Sequence, residues 1–273
     1  MTKPHGYCFL GKDRGRKLAK ISGVIISYNE EKKIGDCIKS MLSVVDEVLL
    51  VDSLSADRTV DIAKKFKVRV IAQKFLGYIE QKNFAISKAK YDWILSLDCD
   101  ERLSGELSKS IESIKNDLPE KGGFIINRKT FYVYRWFNYC FYPDKRVRLF
   151  NRKTASWGGV NPHDKVIVQR GVIQPLKGDI LHYSFDSIAD HIKTLEKFSW
   201  IGAQEIIKKN KKISAFTPIL RAFATFIRMY LLKKGFLDGY PGFVACVLSG
   251  VHVFAKYNHV YFENKKSIAK VND

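Results

Sequence analysis

Trp93-Ile94-Leu95-Ser96-Leu97-Asp98-Cys99-Asp100 runs from an apolar segment straight into two carboxylates. A short apolar run of this kind suits a strand that is buried on both faces, as the strands of a parallel sheet are. Side chains alternate along an extended chain, so we expect Asp98 and Asp100 to face a cleft together while Cys99 points into the fold. Such a pair can hold a divalent cation that binds a diphosphate, whereas an isolated pair is more often a solvated turn or a helix cap.

Three more apolar segments precede this one, and each is followed by helical spacing. Alternating strands and helices favour a parallel sheet with helices on both faces, whose ligands bind at the carboxyl ends of the strands. We therefore predict an α/β fold with a Rossmann-like, mostly parallel sheet. The predicted strands are residues 21–27, 47–51 and 68–72, and the predicted helices are residues 31–44, 55–66 and 78–88.

Polar residues follow these strands at the edge where a ligand would bind. Tyr28, Asn29 and Glu30 come after the first predicted strand, and Asp52 comes after the second. Asp52 is placed to accept hydrogen bonds from a base or a ribose, because the end of its strand points it into the crevice. Lys82 lies near the start of a predicted helix, where it either reaches a phosphate or is a solvated lysine.

Beyond about residue 122 the sequence is rich in strand-forming, aromatic and basic residues, as if the strands of a second half of the domain followed. Sugars stack on aromatic rings and phosphates pair with arginine, so such a surface can bind a phosphorylated glycolipid. Many of the aromatic residues must nonetheless belong to the core. The cations of the region are Arg128, Lys129, Arg135, Lys145, Arg146, Arg148, Arg152 and Lys153.

The last part of the chain reads as helical and basic, with ten cations against two acids in residues 193–234. An uncharged stretch over residues 239–255 is near the lower length limit for spanning a membrane and contains Pro241 and His252. We expect it to be buried or lodged at an interface rather than to cross. The basic amphipathic helix before it predicts adsorption to an anionic membrane surface. Its apolar stripe consists of Phe216, Ile219, Leu220, Phe223, Ile227, Tyr230 and Leu231.

Composition bounds the class of protein. Lys and Arg outnumber Asp and Glu by 47 to 28 in 273 residues, and the formal charge of +19 predicts an anionic partner such as phospholipid, nucleotide diphosphate or nucleic acid. Hydrophobic residues at 46% and charged residues at 27% exclude wholesale disorder and a polytopic membrane protein. The five cysteines form no C-x-x-C pair, which favours a reducing compartment. The basic start lacks the apolar run of a secretory signal, so we expect a cytoplasmic protein.

Several motifs taken together are far more specific than any one of them. They are IISYNEE at 25–31, VDS at 51–53, DRT at 57–59, QKNFA at 81–85, WILSLDCDE at 93–101, YPD and RVRLF within 142–150, HD at 163–164, LHYS at 181–184 and GFLDG at 235–239. In these segments the chain resembles the family 2 inverting glycosyltransferases of the GT-A fold. Within that family it is similar to the lipopolysaccharide core β-1,4-glucosyltransferase group, over about residues 20–260.

The resemblance implies a donor site for a nucleotide-sugar, with a UDP-sugar favoured, and a divalent cation, Mg²⁺ or Mn²⁺. In such a site Asp98 and Asp100 serve the ribose and the metal. Cys99 stands where the group usually has alanine, and a small residue is tolerated there if it faces inward. The implied nucleoside-binding and diphosphate-binding residues are Tyr28, Glu30, Asp52 and Lys82.

Inverting transfer also needs a base that removes the proton of the acceptor hydroxyl. The resemblance makes Asp164 the first candidate, with His163 orienting it and Asp144 in reserve, although this pair could equally be a structural histidine and a turn aspartate. The group more often has glutamate at this position, so Asp164 has the shorter reach. His182 contacts the diphosphate or the metal, or else is a packed strand histidine.

The chain is expected to comprise a flexible basic arm over 1–20, a GT-A catalytic domain over 21–190 and a helical membrane-associating segment over 191–273. Within the catalytic domain, residues 21–121 form the nucleotide-sugar half and residues 122–190 the acceptor-facing half. The expected reaction is a metal-dependent single displacement that moves a hexose, expected to be glucose, from a UDP-sugar to a lipopolysaccharide or lipooligosaccharide core or a related glycolipid. The enzyme is expected at the inner face of the cytoplasmic membrane.

Two other classes compete with this interpretation. The net charge favours a nonenzymatic module that binds membranes or nucleic acid, but such a module would not explain acidic residues at three strand ends. No helix-turn-helix, zinc-finger or RNP-like sequence is evident, so no specific nucleic acid partner is expected. A nucleotidyltransferase would share the metal chemistry but usually needs a glycine-rich basic loop after its first strand, where this chain has Tyr28, Asn29 and Glu30.

Overall fold

Strands and helices alternate through the first half of the part of the chain that a computed structural model describes, residues 19–160 and 163–272. The predicted basic arm lies outside this part, apart from its last two residues. The strands are β1 Ile21–Ser27, β2 Glu47–Asp52, β3 Arg69–Ala72, β4 Trp93–Asp98, β5 Glu101–Leu103, β6 Gly122–Tyr132, β7 Arg135–Trp136, β8 Asp144–Asn151, β9 Ala155–Val160, β10 His163–Val168 and β11 Val172–Phe185. The helices are α1 Ile34–Met41, α2 Thr59–Lys65, α3 Tyr78–Lys88, α4 Gly105–Ile114, α5 Ile188–Ile207, α6 Phe216–Ile227 and α7 Gly239–Asn272.

The first four strands form the parallel half of the sheet, in the order β3-β2-β1-β4. Both faces of β1, β2 and β4 are buried, whereas the edge strand β3 is partly exposed. Ile25, Leu50 and Leu95 pack in the cluster that α1 covers, while their neighbours Val24 and Leu49 pack in the cluster that α3 covers. The alternation follows from the two-residue period of an extended chain. The predicted βα architecture with helices on both faces is confirmed.

The second half of the sheet is mixed rather than parallel. β8 lies antiparallel to β4 and β6 lies antiparallel to β8, whereas β11 runs parallel to β6 and β5 closes the edge antiparallel to β11. The predicted parallel arrangement therefore holds among β1 to β4 and recurs between β6 and β11, with antiparallel pairs between and beside them. Antiparallel neighbours need just a short connection, and no helix separates β6, β7 and β8 along the chain.

A hairpin of β9 and β10 forms a separate two-stranded sheet beside α3. The Asn83 side chain on α3 makes two hydrogen bonds to the backbone of Trp157 on β9, accepting from its N–H at 3.0 Å and donating to its carbonyl at 2.9 Å. These bonds replace the ladder partners that the edge strand lacks. They fix the hairpin next to Lys82, the residue that precedes Asn83.

The C-terminal helices share a core with the sheet. Tyr132 and Phe137 pack in one buried cluster with Met229, Ala245 and Cys246. α6 is continued by a π-helical turn, Arg228–Leu232, and a 3₁₀ turn, Gly235–Asp238, leads into α7. Among the described residues one helical stretch, Gly235–Lys266, is long and apolar enough to cross a membrane by length and composition, and a third of its most apolar window is buried inside the protein.

A buried carboxylate ties this helical segment to the loop between β7 and β8. Asp238 is fully buried and accepts hydrogen bonds from the backbone N–H groups of Asn138, Tyr139 and Cys140, at 2.8, 3.1 and 2.7 Å. Backbone N–H groups that are buried without a partner are costly, so this one side chain satisfies a whole turn of the loop. The helices are therefore joined to the second half of the sheet by polar as well as apolar contacts.

Candidate active site

The carboxyl ends of β1, β2 and β4 bring their polar residues to one edge. Ser27 on β1 pairs in register with Asp52 on β2, and Ile26 pairs with Asp98 on β4. Cys99 is buried with its Sγ 3.1 Å from the carbonyl oxygen of Ile26, so the prediction that it points into the fold is confirmed. The strand-end residues named from the sequence thus surround one crevice.

Asp52 organises the crevice as well as facing it. One of its oxygens accepts hydrogen bonds from the hydroxyls of Ser27 at 2.7 Å and Ser55 at 2.6 Å, and the other accepts from the Ser55 N–H at 2.8 Å. An ionised carboxylate has about four acceptor positions, and these bonds fill three of them. The loop after β2 takes its shape from this side chain.

The loop after β1 is bound to the loop after β2. Asn29 adopts a left-handed backbone conformation, with φ of 54°, which a short polar side chain tolerates. Its N–H donates to the Ser55 hydroxyl and its side-chain oxygen accepts from the Ala56 N–H, each at 2.8 Å. The neighbouring Tyr28 is left 61% exposed at the rim of the crevice, where its ring is free to stack on a base.

Glu30 has an unusual protonation equilibrium. Burial, reinforced by the negative charge of Asp100, raises the pKa of Glu30 from 4.5 to about 7. Both effects disfavour the charged form, and the nearby Lys33 offsets only part of them. Glu30 therefore titrates near neutral pH in the ligand-free protein.

Asp98 lies between two cations. Its oxygens are 3.0 Å from Nζ of Lys82 and 2.9 Å from a terminal nitrogen of Arg148. Burial alone would raise the pKa of Asp98, but the attraction of Lys82 and Arg148 outweighs it and holds the pKa well below the usual value. Asp98 is thus fixed as an anion with both oxygens engaged.

Arg148 and Glu101 form a buried ion pair at the floor of the crevice. The sequence analysis predicted this position for neither residue. Arg148 was expected on the acceptor surface, yet it is almost fully buried and donates to Asp98 and, at 2.7 Å, to the fully buried Glu101. Glu101 also accepts from the Asp98 N–H at 3.0 Å. No local sequence signal marks this role, because it follows from the central position of β8 in the assembled sheet, where a charged side chain must be paired.

Asp144, the reserve candidate for the base, is engaged with two arginines. Nε and a terminal nitrogen of Arg128 lie 2.9 and 2.7 Å from one oxygen, and Nε of Arg146 lies 2.9 Å from the other. Burial would raise the pKa of Asp144, but these cations outweigh it and lower the pKa. A carboxylate held in this way is a weak proton acceptor.

Asp164, the first candidate for the base, lies beside Lys82 and Asp98. One of its oxygens is 2.7 Å from Nζ of Lys82, the same ammonium that binds Asp98. Lys82 is nearly buried and stacks on the Trp157 ring, 4.2 Å from its centre. The structure thus brings Asp98, Lys82 and Asp164 together, while the side chain of His163 lies outside the described part of the chain.

Asp100 and His182 present a second pair of ligand atoms. Oδ2 of Asp100 is 3.2 Å from Nε2 of His182, and the Ser184 hydroxyl lies 2.6 Å from Nδ1 of the same ring. Burial would raise the pKa of Asp100, but His182 outweighs burial and lowers it. Neither side chain is fully buried, so both are open to the cleft.

The side-chain oxygen and nitrogen atoms of Asp100 and His182 are suitable ligands for Mg²⁺ or Mn²⁺. Mg²⁺ is commonly held by one or two carboxylates and completes its shell with substrate phosphates and water, and carboxylate and water ligands suit Mn²⁺ as well. Within the described residues no group of three or more His, Cys, Asp or Glu side chains converges on one point. A bound cation would therefore take its remaining ligands from the substrate and water.

The parallel half with acidic strand ends, continued by a mixed half, defines a glycosyltransferase of the GT-A fold. Residues 22–172 match the model for glycosyl transferase family 2, and the chain belongs to that family. The family predicted from the sequence motifs is confirmed, and with it an enzyme rather than a nonenzymatic binding module or a nucleotidyltransferase.

Relatives extend over almost the whole chain. An uncharacterized glycosyltransferase of Rickettsia typhi is 33% identical over 269 residues, which cover 93% of this chain and 92% of the relative. The lipopolysaccharide core biosynthesis glycosyltransferase LpsC of Rhizobium meliloti is 24% identical over 252 residues, covering 88% and 92%. Among solved structures, the mannosyltransferase PcManGT of Pyrobaculum calidifontis in complex with GDP-Man and Mn²⁺ shares the fold, with a TM-score of 0.54, 13% identity and coverage of 89% and 87%.

Proposed function

We propose that the enzyme is an inverting, metal-dependent hexosyltransferase that moves glucose from a UDP-sugar to a lipopolysaccharide core or related glycolipid. The observation that carries the proposal is the position of Lys82, which contacts both the donor-site carboxylate Asp98 and the candidate base Asp164. The relative named for lipopolysaccharide core biosynthesis supports the acceptor class. The structural relative that holds GDP-Man and Mn²⁺ supports a nucleotide-sugar and a divalent cation.

The donor nucleotide is assigned to the crevice between the loops after β1 and β2. The exposed Tyr28 ring stacks on the base, and the free acceptor position of Asp52 binds the nucleoside. Glu30 lies on the Asp100 side of the same crevice, where it can accept a hydrogen bond from a ribose hydroxyl. Lys82 lies deeper, where its charge is available to the diphosphate.

The metal is assigned to Asp100 and His182. A divalent cation in this place would stabilise the negative charge on the departing nucleoside diphosphate. The Asp98 carboxylate lines the donor site beside Asp100. Lys82 and Arg148 hold it rigidly at the end of β4. The residues assigned to the donor and the metal therefore come from β2, β4, α3 and β11 and from the loops after β1 and β4.

Asp164 is assigned as the base. It takes the proton of the acceptor hydroxyl, the acceptor oxygen forms a bond to the anomeric carbon, and the bond to the diphosphate breaks with its electron pair leaving on the nucleotide. Attack opposite the leaving group inverts the anomeric centre. When the donor diphosphate binds Lys82, the ammonium has a third anionic partner beside Asp98 and Asp164, and its attraction to Asp164 weakens.

The acceptor is assigned to the surface of the second half of the sheet. Tyr134, Tyr139 and Lys145 are exposed there, whereas Tyr132 and Phe137 are buried, so the expectation that part of the aromatic set is core is confirmed. Exposed tyrosines can stack on sugar rings, and lysine can pair with core phosphates. This combination supports a phosphorylated glycolipid rather than a neutral one.

A donor screen tests the proposal. The purified full chain is heated with Mn²⁺ or Mg²⁺ and UDP-, GDP- or ADP-sugars, because a ligand that binds only the folded state raises its stability. We expect UDP-glucose to give the largest shift, and we expect transfer to a lipopolysaccharide core acceptor to give a β-linked product. A shift with GDP-sugars alone would contradict the donor, and an α-linked product would contradict inversion.

A further inference from the structure

The helical segment carries an apolar surface that nothing in the described chain covers. It is formed by exposed side chains of α6, of the turn after it and of the first half of α7, and is called the docking face below. Phe216, Leu220 and Phe223 on α6 are 72%, 66% and 64% exposed, and Leu232 and Tyr240 beyond it are both 75% exposed. Large apolar patches on a soluble domain mark interaction sites.

The docking face is continuous rather than scattered. Phe216, Leu220 and Phe223 are spaced four and three residues apart, which puts them on one stripe of α6. α6 packs against α7, with Arg221 4.9 Å from the centre of the Tyr257 ring and the Phe226 and Phe243 rings 6.1 Å apart. Between these two contacts α7 exposes an apolar stripe of its own, formed by Phe243, Val247, Val251 and Phe254. Two adjacent apolar stripes make one broad surface.

The charge around the docking face selects its partner. Residues 216–257 contain five cations and one acid, and that acid is the buried Asp238, whose oxygens are bound to backbone N–H groups. A second copy of the chain would bring like charges together, and a nucleic acid would leave the apolar stripes uncovered. An anionic lipid surface satisfies both the cations and the apolar side chains. The cations are Arg221, Arg228, Lys233, Lys234 and Lys256.

We propose that the docking face binds the surface of an anionic bilayer, with α6 and the first half of α7 lying in the interface. α7 does not cross the bilayer, because Ala245 and Cys246 on its other side are fully buried against Tyr132 and Phe137 of the catalytic half. Leaving that cluster would expose large aromatic side chains to water. The helix therefore has one face for protein and one for lipid.

This arrangement sets the position of the active site above the membrane. Asp238 joins the docking segment to the loop that carries Tyr139, on the proposed acceptor surface. A glycolipid whose lipid part stays in the bilayer would then present its sugar headgroup to a site at fixed height. This use of the docking face rests on the proposed function, whereas binding to the bilayer does not.

The test measures binding of the full chain to vesicles without any nucleotide. The wild-type protein should sediment with phosphatidylglycerol vesicles, and raising the salt concentration should weaken the binding. The double variant Leu220→Gln/Phe223→Gln should bind at least about tenfold more weakly, because two large apolar side chains no longer enter the interface. The matched control is Val172→Gln, since Val172 is 63% exposed but begins β11 at the end away from the helices.

Two results would overturn the proposal. One is sedimentation of the double variant at the wild-type level, with both proteins folded by thermal unfolding. The other is a wild-type dimer in sedimentation velocity that Leu220→Gln/Phe223→Gln dissociates while vesicles bind neither protein, since a second copy would then occupy the face. Failure of the proposed function would show separately, as absence of thermal stabilisation by UDP-sugars in both proteins.

Discussion

At the scale of single residues, the carboxylate of Asp164 is the group whose loss should stop the chemistry. We predict that Asp164→Asn lowers kcat by about 10²- to 10⁴-fold, because an amide cannot take the proton from the hydroxyl of the acceptor sugar. Binding of the UDP-sugar should persist, since Lys82 keeps Asp98 as a partner. Transfer kinetics and donor-induced thermal stabilisation measure the two effects.

Asp144→Asn is the comparison variant for this prediction. Asp144 is held by Arg128 and Arg146, so its replacement should act mainly on stability and on the acceptor surface. Full activity of Asp164→Asn together with loss of turnover in Asp144→Asn would move the base to Asp144.

Asp100 is the residue whose removal should separate metal binding from folding. We predict that Asp100→Ala abolishes metal-dependent turnover, since it removes the carboxylate that is proposed to bind the cation together with His182. The fold should survive, because Asp100 is partly exposed and pairs with one side chain. Turnover against Mn²⁺ concentration and Mn²⁺ binding by electron paramagnetic resonance are the measurements. Asp36→Ala, at an exposed acid paired with Arg102, is the control, and unchanged transfer in Asp100→Ala would contradict the metal site.

Glu30 should make stability depend on pH. Its pKa is raised to about 7 in the folded protein, so between about pH 4.5 and 7 the folded state binds more protons than the unfolded state. Stability therefore falls as the pH rises through this window, and the loss is complete above pH 7. We predict that metal-free Glu30→Gln is more stable than wild type at alkaline pH by on the order of 1 kcal/mol, after allowance for solvent screening, and equal to it near pH 4. Urea unfolding at the two pH values decides, and equal stabilities at alkaline pH would refute the assignment.

The pair of Arg148 and Glu101 should behave as a buried charge pair. We predict that Arg148→Met destabilises the protein by about 3 kcal/mol, because Glu101 keeps its charge in a buried place with one cation fewer. Arg148→Met/Glu101→Gln should recover part of the loss. Urea denaturation measures both, and a double variant no more stable than the single one would count against the pairing.

At the scale of secondary-structure elements, Asp238 should hold the 3₁₀ turn before α7 onto the loop after β7. We predict that Asp238→Asn destabilises the protein by about 2 kcal/mol, because the amide offers one acceptor oxygen and no charge to three N–H groups. Glu205→Gln, which breaks an exposed pair with Lys208, should cost less than about 0.5 kcal/mol. Equal effects of the two variants in urea denaturation would argue against the anchor.

The shared core changes how the C-terminal helices can be studied. Removing the chain from Phe216 onward would take Met229, Ala245 and Cys246 out of the cluster around Tyr132. A truncated protein that failed to bind membranes would then say nothing about the docking face, since its fold would be damaged. Substitutions on exposed positions avoid this problem.

Local elements could be predicted where local sequence decides them. β1 has the predicted bounds and β4 begins at the predicted residue, because a strand buried on both faces is a continuous apolar run that ends at a polar residue. α1 is shorter than predicted, since only Ile34–Met41 can turn its apolar side to the sheet before the chain leaves for β2. The pairing of β8 between β4 and β6 could not be predicted, because partner choice depends on contacts far apart in the chain.

The same limit applies to the site. That Asp52 and Asp98 lie at one edge of the sheet could be predicted, because the ends of neighbouring parallel strands fix where such residues go. Arg148 could not, because alternation along β8 does not tell which of its arginines faces the buried acids beneath the donor crevice. A residue whose partner lies 47 positions away is visible only once the sheet is assembled.

At the scale of the whole molecule, the sheet and the helices belong to one architecture. The family model ends at residue 172, before α5 begins, yet the Rickettsia typhi relative is alignable over 93% of the chain. The helices therefore accompany the catalytic half in a protein of similar length. The formal charge of +19 is spread over a molecule whose crevice is lined by carboxylates. The surface therefore attracts anions in general, whereas the crevice favours anions that bind together with a cation or that contact Lys82.

The ammonium shared by Asp98 and Asp164 gives the proposed reaction a direction in time. While the crevice is empty, Asp164 is neutralised by Lys82, and an acceptor that arrives first meets a base already occupied. A donor diphosphate competes for the same ammonium. The ion pair between Lys82 and Asp164 then weakens, and the carboxylate can accept a proton. On the proposed mechanism, substrates then bind productively in a compulsory order, donor before acceptor, and a glycolipid resting at the membrane is not deprotonated until there is a sugar to receive.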